Sequence, residues 1–290
     1  MTISRKIVTI QFAGFRVRFE FPTEIIIPVE FTEFLCDAQE EADMEYKIQL
    51  LEKPLNIKGE PDAVYRGIQL YQQDGNWLRI YSSLTAEDGC QVACFVYQQD
   101  KGILYYPASK WDYYAEEIHC LHLIGIETFL LQKSAFLLHS SVVKIDGWAV
   151  LFSGPSGIGK STQAMLWEKY LNAEILNGDR CLIRKKEDGF WGCGSPWCGT
   201  SGIYRKEQAP LKGIFVLQQS ERNTVRKIGT AGFAKLFQQT IVNAWDKKFV
   251  EKFTDLLIEL VAEIPVYELE CRPDKEAVEL AYSTLFEGGI

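Results

Sequence analysis

The chain has 290 residues, of which 47% are hydrophobic and 24% are charged, and its formal net charge at pH 7 is −8. The acidic balance disfavours nucleic acid as the main partner, because affinity for phosphate backbones depends on clustered Lys and Arg. No apolar run approaches the roughly 20 residues that cross a bilayer, and the first residues alternate like a strand instead of resembling a signal peptide. We therefore expect a cytoplasmic protein that binds neither nucleic acid nor a membrane.

Residues 1–108 are predicted to form a β-rich domain. Three of its segments alternate and are rich in aromatic and β-branched residues, namely 6–21, 65–83 and 90–107. Turn signals predict hairpins at residues 74–75, 88–89 and 100–102. A short helix is predicted around 38–46. This half carries no catalytic constellation, so we expect it to serve recognition or oligomerisation.

A second domain is predicted over residues 109–290. It starts with helical spacing over 109–133, with Ser109 as a candidate N-cap. His119 and His122 lie three positions apart on this helix and are candidates for paired metal ligands. Packing or surface positions are favoured for both histidines, because no third ligand is nearby.

Two strands joined by the turn Asp146–Gly147 come next, and the second strand runs into a glycine-rich loop and a helix. The segment "AEIL" (173–176) is predicted to be a strand parallel to, and beside, the strand that enters the loop. The remaining elements are predicted as a hairpin over 181–194, a loop over 195–202, strands over 213–219 and 266–271, helices near 231–245 and 247–263, and a last helix from Pro273.

The sequence from Gly154 to Ser161 fits the P-loop pattern G-x-x-x-x-G-K-[ST] at every fixed position. Glycines let successive N–H groups point at an anion, and the following helix presents its own N–H groups and its positive dipole end. Lys160 is expected to reach the β- and γ-phosphates of ATP, and Ser161 to bind Mg²⁺. The predicted nucleotide-binding residues are Gly154, Ser156, Gly157, Ile158, Gly159, Lys160, Ser161 and Thr162.

Asp179 is the first acidic residue at a strand end after the loop helix. A nucleotide site needs a carboxylate that helps to hold the metal or to polarise the nucleophile, and α/β sheets keep their ligands at the carboxyl ends of strands. Asn177–Gly178–Asp179 is also a good turn sequence, which leaves a purely structural role open. We favour Asp179 as a catalytic residue and a metal ligand.

The stretch "LLHSSVVKIDGWAVLFSGPSGIGKST", followed by "EILNGDR", resembles the superfamily of HPr kinase/phosphorylase and phosphoenolpyruvate carboxykinase, and most of all the bacterial HPr kinase-like proteins that are similar to peptide serine kinases. The similarity covers roughly residues 135–290. It implies an α/β fold in which a P-loop kinase core of this type is joined to the β-rich N-terminal domain.

The resemblance also implies roles for individual residues. His139 matches a strand histidine that approaches the phosphates or the metal, although a lone histidine on an apolar strand is often only a core residue. Lys160 and Ser161 match the P-loop pair, and Asp179 matches the second of two family aspartates. Gly178 stands where the first aspartate is expected. In the family the two aspartates divide metal binding and proton abstraction between them. Here a single carboxylate must do both, or another residue must act as base.

Three residues are predicted to bind substrate: Arg180, Arg205 and Thr200. Either arginine could clamp the equatorial oxygens of the transferring phosphoryl group or a phosphate of the acceptor, although Arg180 could also be a surface charge of a strand and the loop that carries Thr200 a plain connection. The resulting hypothesis is an ATP- and Mg²⁺-dependent kinase that phosphorylates a hydroxyl, in particular a serine, of a peptide or small protein. Two alternatives stay open: a kinase for a small-molecule hydroxyl, and a nucleotide-binding module without turnover, which the missing aspartate supports. A homo-oligomer is also open, since relatives in the superfamily assemble.

Overall fold

The computed structural model describes residues 3–27, 29–37, 39–81, 92–98, 100–117 and 124–288, without the side chains of 3–5, 115–117 and 200. The predicted turn at 88–89 and the histidine pair His119 and His122 lie outside the described residues. Two compact units are present, Met1–Phe129 and Leu130–Ile290. This division falls later than the domain boundary predicted after residue 108.

The first unit contains one eight-stranded sheet with the order β1-β2-β3-β8-β7-β6-β5-β4. Strands β2, β3 and β8 are parallel to one another, and the other neighbours are antiparallel. The strands are β1 (Ile3–Phe12), β2 (Phe15–Ile27), β3 (Met44–Leu51), β4 (Ala63–Tyr65), β5 (Ile68–Gln73), β6 (Asn76–Tyr81), β7 (Ala93–Tyr97) and β8 (Lys101–Pro107).

The hairpin predicted at Asp74–Gly75 is confirmed: Gln73 pairs with Asn76, and both turn residues have positive φ, at 47° and 78°. Such angles are those of the two-residue turn that suits twisted antiparallel strands. The helix predicted around 38–46 is wrong, because strand β3 begins at Met44 and pairs with β2 and β8. A short helix, α1 (Val29–Thr32), lies earlier in the chain.

The helix predicted over 109–133 is replaced by α2 (Trp111–Glu117) and α3 (Glu127–Gln132). Helix α2 packs within the first unit: the rings of Trp111 and Tyr106 lie 5.9 Å apart, and the Trp111 indole donates a hydrogen bond to Thr23. These aromatic contacts explain why the division between the units falls after α2.

The second unit contains another eight-stranded sheet, with the order β10-β9-β12-β13-β14-β16-β15 and with β11 paired to β9. Its strands are β9 (Ala135–Ile145), β10 (Trp148–Ser153), β11 (Glu174–Asn177), β12 (Arg180–Lys186), β13 (Gly189–Cys193), β14 (Gln208–Gln219), β15 (Thr224–Lys227) and β16 (Val266–Cys271). Its main helices are α4 (Lys160–Leu171), α5 (Ala231–Gln238), α6 (Lys247–Glu263) and α7 (Lys275–Phe286).

Five strands of this sheet close on one another. Strand β14 pairs with β13 through its first residues and with β10 through residues 211–216, while β9 and β12 complete the ring. The interior is tight: a Cβ at Gly192 would lie 2.9 Å from the Cβ of Ala149. Strands β10, β14 and β16 run parallel, so their carboxyl ends share one edge.

Helices cover both faces of the sheet. Trp167 of α4 and Ala277 of α7 belong to one buried cluster, and Phe253 and Leu257 of α6 belong to the other. Helix α7 begins at Lys275 and not at Pro273, because the side chain of Asp274 caps it by accepting from the Ala277 N–H. The predicted helix near 231–245 is shortened to α5, which ends at Gln238.

The neighbour predicted for the 173–176 segment is wrong. Strand β11 runs in the same direction as β10, but β9 lies between them and pairs antiparallel with both. The hairpin turn Asp146–Gly147 is confirmed, with Ile145 opposite Trp148. Because the turn has only two residues, β10 returns antiparallel beside β9. Strand β9 therefore takes the place beside β10 that β11 was expected to fill.

Phe253 provides a test of the second unit's core. Its side chain is fully buried on α6 and packs against Phe136 and Phe237. We expect Phe253→Ala to lower the free energy of unfolding by about 3–5 kcal/mol, measured by urea denaturation. Ile258 on the same helix is 51% exposed, so Ile258→Ala should cost less than about 1 kcal/mol. Equal losses in the two variants would contradict this packing.

Candidate functional site

The loop between β10 and α4, residues 154–159, is called the glycine loop here. Three of its glycines have positive φ, Gly154 at 148°, Gly157 at 77° and Gly159 at 114°, a region that strongly favours glycine. Gly159 is the N-cap of α4 and no side chain caps the helix. The first N–H groups of α4 are therefore available for an anion. Ser156 is exposed, and Ile158 and Thr162 are half-buried at the start of the helix.

Lys160 lies inside the glycine loop. It is 6% exposed, and its Nζ donates hydrogen bonds of 3.0 Å to the carbonyls of both Gly154 and Pro155. Burial lowers the pKa of this ammonium, and the nearby negative charge of Asp179 acts in the opposite direction. The loop therefore holds the buried positive charge of Lys160, whose hydrogen-bond partners among the described residues are neutral carbonyls.

Asn177 positions the turn that carries Asp179. Its side chain is fully buried, and its Oδ1 accepts from the backbone N–H groups of Asp179 at 2.8 Å and Arg180 at 2.7 Å. Its amide nitrogen donates to the carbonyls of Ser195 and Trp197. These bonds hold the turn, and with it the Asp179 carboxylate, in place, while the functional role of Asp179 stays a prediction.

Asp179 lies in a cluster of charged groups. Its Oδ1 is 3.3 Å from Nε2 of His139, and its Oδ2 is 3.6 Å from Nε of Arg180. The register of β9 and β12 brings these residues together, since Arg180 pairs with His139. The hydrogen bond from His139, together with the charges of His139, Arg180 and Lys160, lowers the pKa of Asp179 against the opposing effect of burial.

Ser161 connects the glycine loop to the Asp179 turn. Its hydroxyl donates to the carbonyl of Gly178 at 3.3 Å, and Ser141 of β9 donates to the same oxygen at 2.9 Å. The helix start that carries Lys160 and Ser161 therefore faces the turn that carries Asp179. The structure brings His139, Lys160, Ser161 and Asp179 to one place.

The loop after β13 closes over this turn. A Cβ on Gly178 would lie 2.3 Å from Oγ of Ser201, and a Cβ on Gly199 would lie 2.5 Å from Oδ2 of Asp179. Gly199 also has φ of 54°. Ser201 therefore occupies the space into which a side chain at position 178 would project. This is the position where the first aspartate of the predicted pair was expected.

The residues predicted to bind substrate differ in how close they lie to Asp179. Arg180 is adjacent to Asp179, whereas Arg205 is exposed and donates to the carbonyl of Tyr204, which forms a bridge with Asn177. The side chain of Thr200 lies outside the described atoms. Sequence reasoning pointed to the loop that carries Ser201 but missed the contact of Ser201 with Gly178, the role of Ser141, and the partners of Asn177. A buried asparagine before an Asp-Arg pair is a turn signal in the sequence, but its partners 18 and 20 residues away carry no local signal.

Within the described ranges, no group of three or more His, Cys, Asp or Glu side chains is arranged to hold a metal ion. In the same part of the chain, no helix is both long and apolar enough to span a bilayer.

A family model described as "ScmC: SynChlorMet cassette protein ScmC" matches residues 117–274, more than half of the chain. The chain therefore belongs to the ScmC family. No curated protein matches the sequence. Among solved structures, the Hpr(Ser) kinase/phosphatase from Coxiella burnetii is 14% identical, with 52% of this chain and 94% of that chain covered at a TM-score of 0.29. The predicted relation to the HPr kinase superfamily stays a prediction.

The environment of Asp179 predicts its titration. We expect its carboxyl pKa, measured by carbon-13 NMR on aspartate-labelled protein, to lie below the usual 3.8. His139→Ala should raise this pKa more than Arg180→Gln does, because the hydrogen bond from His139 is the largest contribution. A pKa unchanged by His139→Ala would contradict the pairing.

The depressed pKa of Asp179 also makes the stability of the protein depend on pH. Asp179 contributes stability above its unfolded-state pKa, and this contribution is lost as the pH falls from the usual 3.8 through the lower folded value. Asp179→Asn should therefore show a shallower loss of stability over that acid range than the wild type.

The close fit of Gly178 and Ser201 can be tested by a double-mutant cycle. Gly178→Ala should destabilise the protein, because the new Cβ overlaps the Ser201 hydroxyl. Ser201→Gly should remove most of this penalty, giving a coupling of about 0.5–3 kcal/mol between the two sites in urea denaturation. Additive effects would show that the loop moves away without cost.

Proposed function

We propose that this chain is an ATP- and Mg²⁺-dependent kinase that transfers the γ-phosphate to a hydroxyl, in particular a serine, of a peptide or small protein. The observation that carries the proposal is that Lys160 and Ser161, at the start of the helix after β10, meet Asp179, which follows the carboxyl end of β11, a strand separated from β10 by β9. The P-loop pattern of the sequence and the conformation of the glycine loop support it together.

The glycine loop suits a polyphosphate. Three positive-φ glycines turn the backbone around an open space, and the uncapped start of α4 adds N–H groups and a positive dipole end. Lys160 contributes a buried positive charge whose hydrogen bonds to the described residues go to two neutral carbonyls. Binding a phosphate here gives this ammonium an anionic partner, which strengthens binding in a partly desolvated site.

The donor set beside the loop suits magnesium. The ion prefers oxygen ligands and keeps several waters, so that one or two protein ligands and the substrate phosphates are enough. Ser161 and Asp179 supply a hydroxyl and an ionised carboxylate next to the loop. When bound, the ion neutralises charge that develops on the transferring phosphoryl group.

The reaction forms a bond between the acceptor oxygen and the γ-phosphorus and breaks the bond to the β–γ bridging oxygen, so that ADP leaves. Asp179 accepts the proton of the attacking hydroxyl, and His139 holds the carboxylate in position at 3.3 Å. A weak base is sufficient for a loose transition state of this kind. Arg180, beside the carboxylate, stabilises the transferring group or the acceptor.

The acceptor is proposed from the context that the family description gives. It names a cassette protein, so any short peptide encoded in the same cassette is the first acceptor to test. A small-molecule acceptor would use the same site residues, and a screen for metabolites that gain one phosphate in the presence of ATP separates the two classes.

A second candidate is a nucleotide-binding module without turnover. Ser201 fills the space beside Gly178, so that the turn offers one carboxylate where a pair was expected. Binding of ATP without any transfer or hydrolysis would favour this candidate over the kinase.

The kinase is tested by incubating the protein with γ-labelled ATP, Mg²⁺ and the neighbouring peptides. We expect label on a peptide serine, and we expect Lys160→Ala and Asp179→Asn each to lower the rate at least about 100-fold, because each removes charge stabilisation of the transition state. Lys169 is exposed near the other end of the same helix, so Lys169→Ala should react like the wild type. Transfer that survives Asp179→Asn unchanged would contradict the proposed role of the carboxylate.

A further inference from the structure

A pocket of about 550 Å³ lies beside the glycine loop. This volume is within the usual range of small-molecule sites, about 300–1,000 Å³. Glycine-loop residues form one wall, and the ends of β14 and β16 form the other. Its lining includes the apolar Ile158, Leu217 and Pro273, the polar Gln163 and Ser220, Cys271, and the charged Glu221 and Arg272.

The pocket and Asp179 lie on opposite sides of the glycine loop. Strand β10, which leads into the loop, has two neighbours: β14 on one side and β9 on the other. The pocket is at the β14 and β16 side, whereas Asp179 follows β11, which pairs with β9. A chain of phosphates held by the loop therefore has one end near Asp179 and the other near the pocket.

Gln163 gives the pocket an unused polar group. The residue is 3% exposed and lines the pocket, and its Nε2 donates to Sγ of Cys271 at 3.2 Å. No residue in the described ranges donates a hydrogen bond to its Oε1. Buried acceptors without a partner are rare in folded proteins, so a ligand that offers an N–H or O–H donor would complete this site.

The mixed lining fits the same kind of ligand. Ile158, Leu217 and Pro273 offer apolar surface to one part of the pocket, while Glu221 and Arg272 add charged groups, and small-molecule sites combine apolar walls with a few polar groups. A nucleoside has both features, because its base is flat and its amine and ribose hydroxyls are donors.

We propose that this pocket holds the base and ribose of the nucleotide, with a donor of the nucleoside bound to Oε1 of Gln163. The triphosphate then runs across the glycine loop, from the β14 side to the Asp179 side. The inference rests on the proposed function, because the pocket receives a nucleoside only if the loop binds the phosphates attached to it.

Calorimetric titration of the full chain with Mg·ATP and with Mg·tripolyphosphate separates the nucleoside from its phosphates. Ser220 is half-buried at the pocket, so Ser220→Trp should fill it. We expect this variant to bind ATP at least about 10-fold more weakly than the wild type and tripolyphosphate equally well.

Gln163→Met keeps the length of the side chain and removes its acceptor, so it tests the hydrogen bond without blocking the pocket. It should weaken ATP about 5- to 10-fold and leave tripolyphosphate unchanged. Met165 lies on the same helix and is 48% exposed, so Met165→Trp serves as the control and should bind both ligands like the wild type. Circular dichroism of each variant checks its fold.

The outcomes are distinct. Unchanged ATP affinity in both Ser220→Trp and Gln163→Met overturns the nucleoside pocket and leaves the kinase proposal standing. Equal weakening of ATP and tripolyphosphate also overturns it, because the pocket would then act through the loop. A wild-type protein that binds neither ligand overturns the proposed function itself. If Ser220→Trp does not fold, Gln163→Met alone decides.

Discussion

The buried amide of Asn177 is the interaction on which the candidate site depends. One side chain satisfies two backbone N–H groups of the turn and two carbonyls of the loop after β13. In a low-dielectric interior a fully satisfied polar network is rigid, and a partly satisfied one is costly. Asp179 therefore cannot shift without breaking this network. The same bonds keep the loop against the turn, so Gly199 packs on the carboxylate and Ser201 on Gly178.

Strand β9 is the second constraint. It pairs with β10, β11 and β12, and it therefore supplies His139 and Ser141 to the space between the glycine loop and the Asp179 turn. Ser140 donates its N–H to the carbonyl of Asp179 at 3.0 Å, and Ser153 at the end of β10 donates its hydroxyl to the carbonyl of His139 at 3.1 Å. A largely buried strand, with the partly exposed His139 and the buried Ser141 at this end, joins both halves of the site.

Local features of the sequence predicted local features of the structure. Asp146–Gly147 is a two-residue turn because both residues adopt positive φ, and Asp274 caps α7 through its own side chain. The glycine loop and the helix after it also follow from the order of residues 154–162. All of these are settled within a few positions of the chain, where turn and cap chemistry acts.

What sequence reasoning missed depends on contacts between distant positions. Strand β11 does not lie beside β10, because the hairpin places β9 on one side of β10 and the closure of the five-strand ring places β14 on the other. The close approach of Gly178 and Ser201 brings together positions that are 23 residues apart, and it depends on the fold of the 195–202 loop. Residues 44–51 form a strand, although a helix was predicted around 38–46, because β2 and β8 supply backbone hydrogen-bond partners on both sides.

The charges of the site make sense when its two sides are considered together. Lys160 is buried among carbonyls, and burial lowers its pKa, so the positive charge at the loop is incompletely compensated. Asp179 keeps its negative charge because His139 and Arg180 face it. The carboxylate is therefore already engaged and compensates Lys160 only in part. A polyanion at the loop would neutralise the excess positive charge, and a divalent cation beside Asp179 would prevent the new anion and the carboxylate from repelling each other.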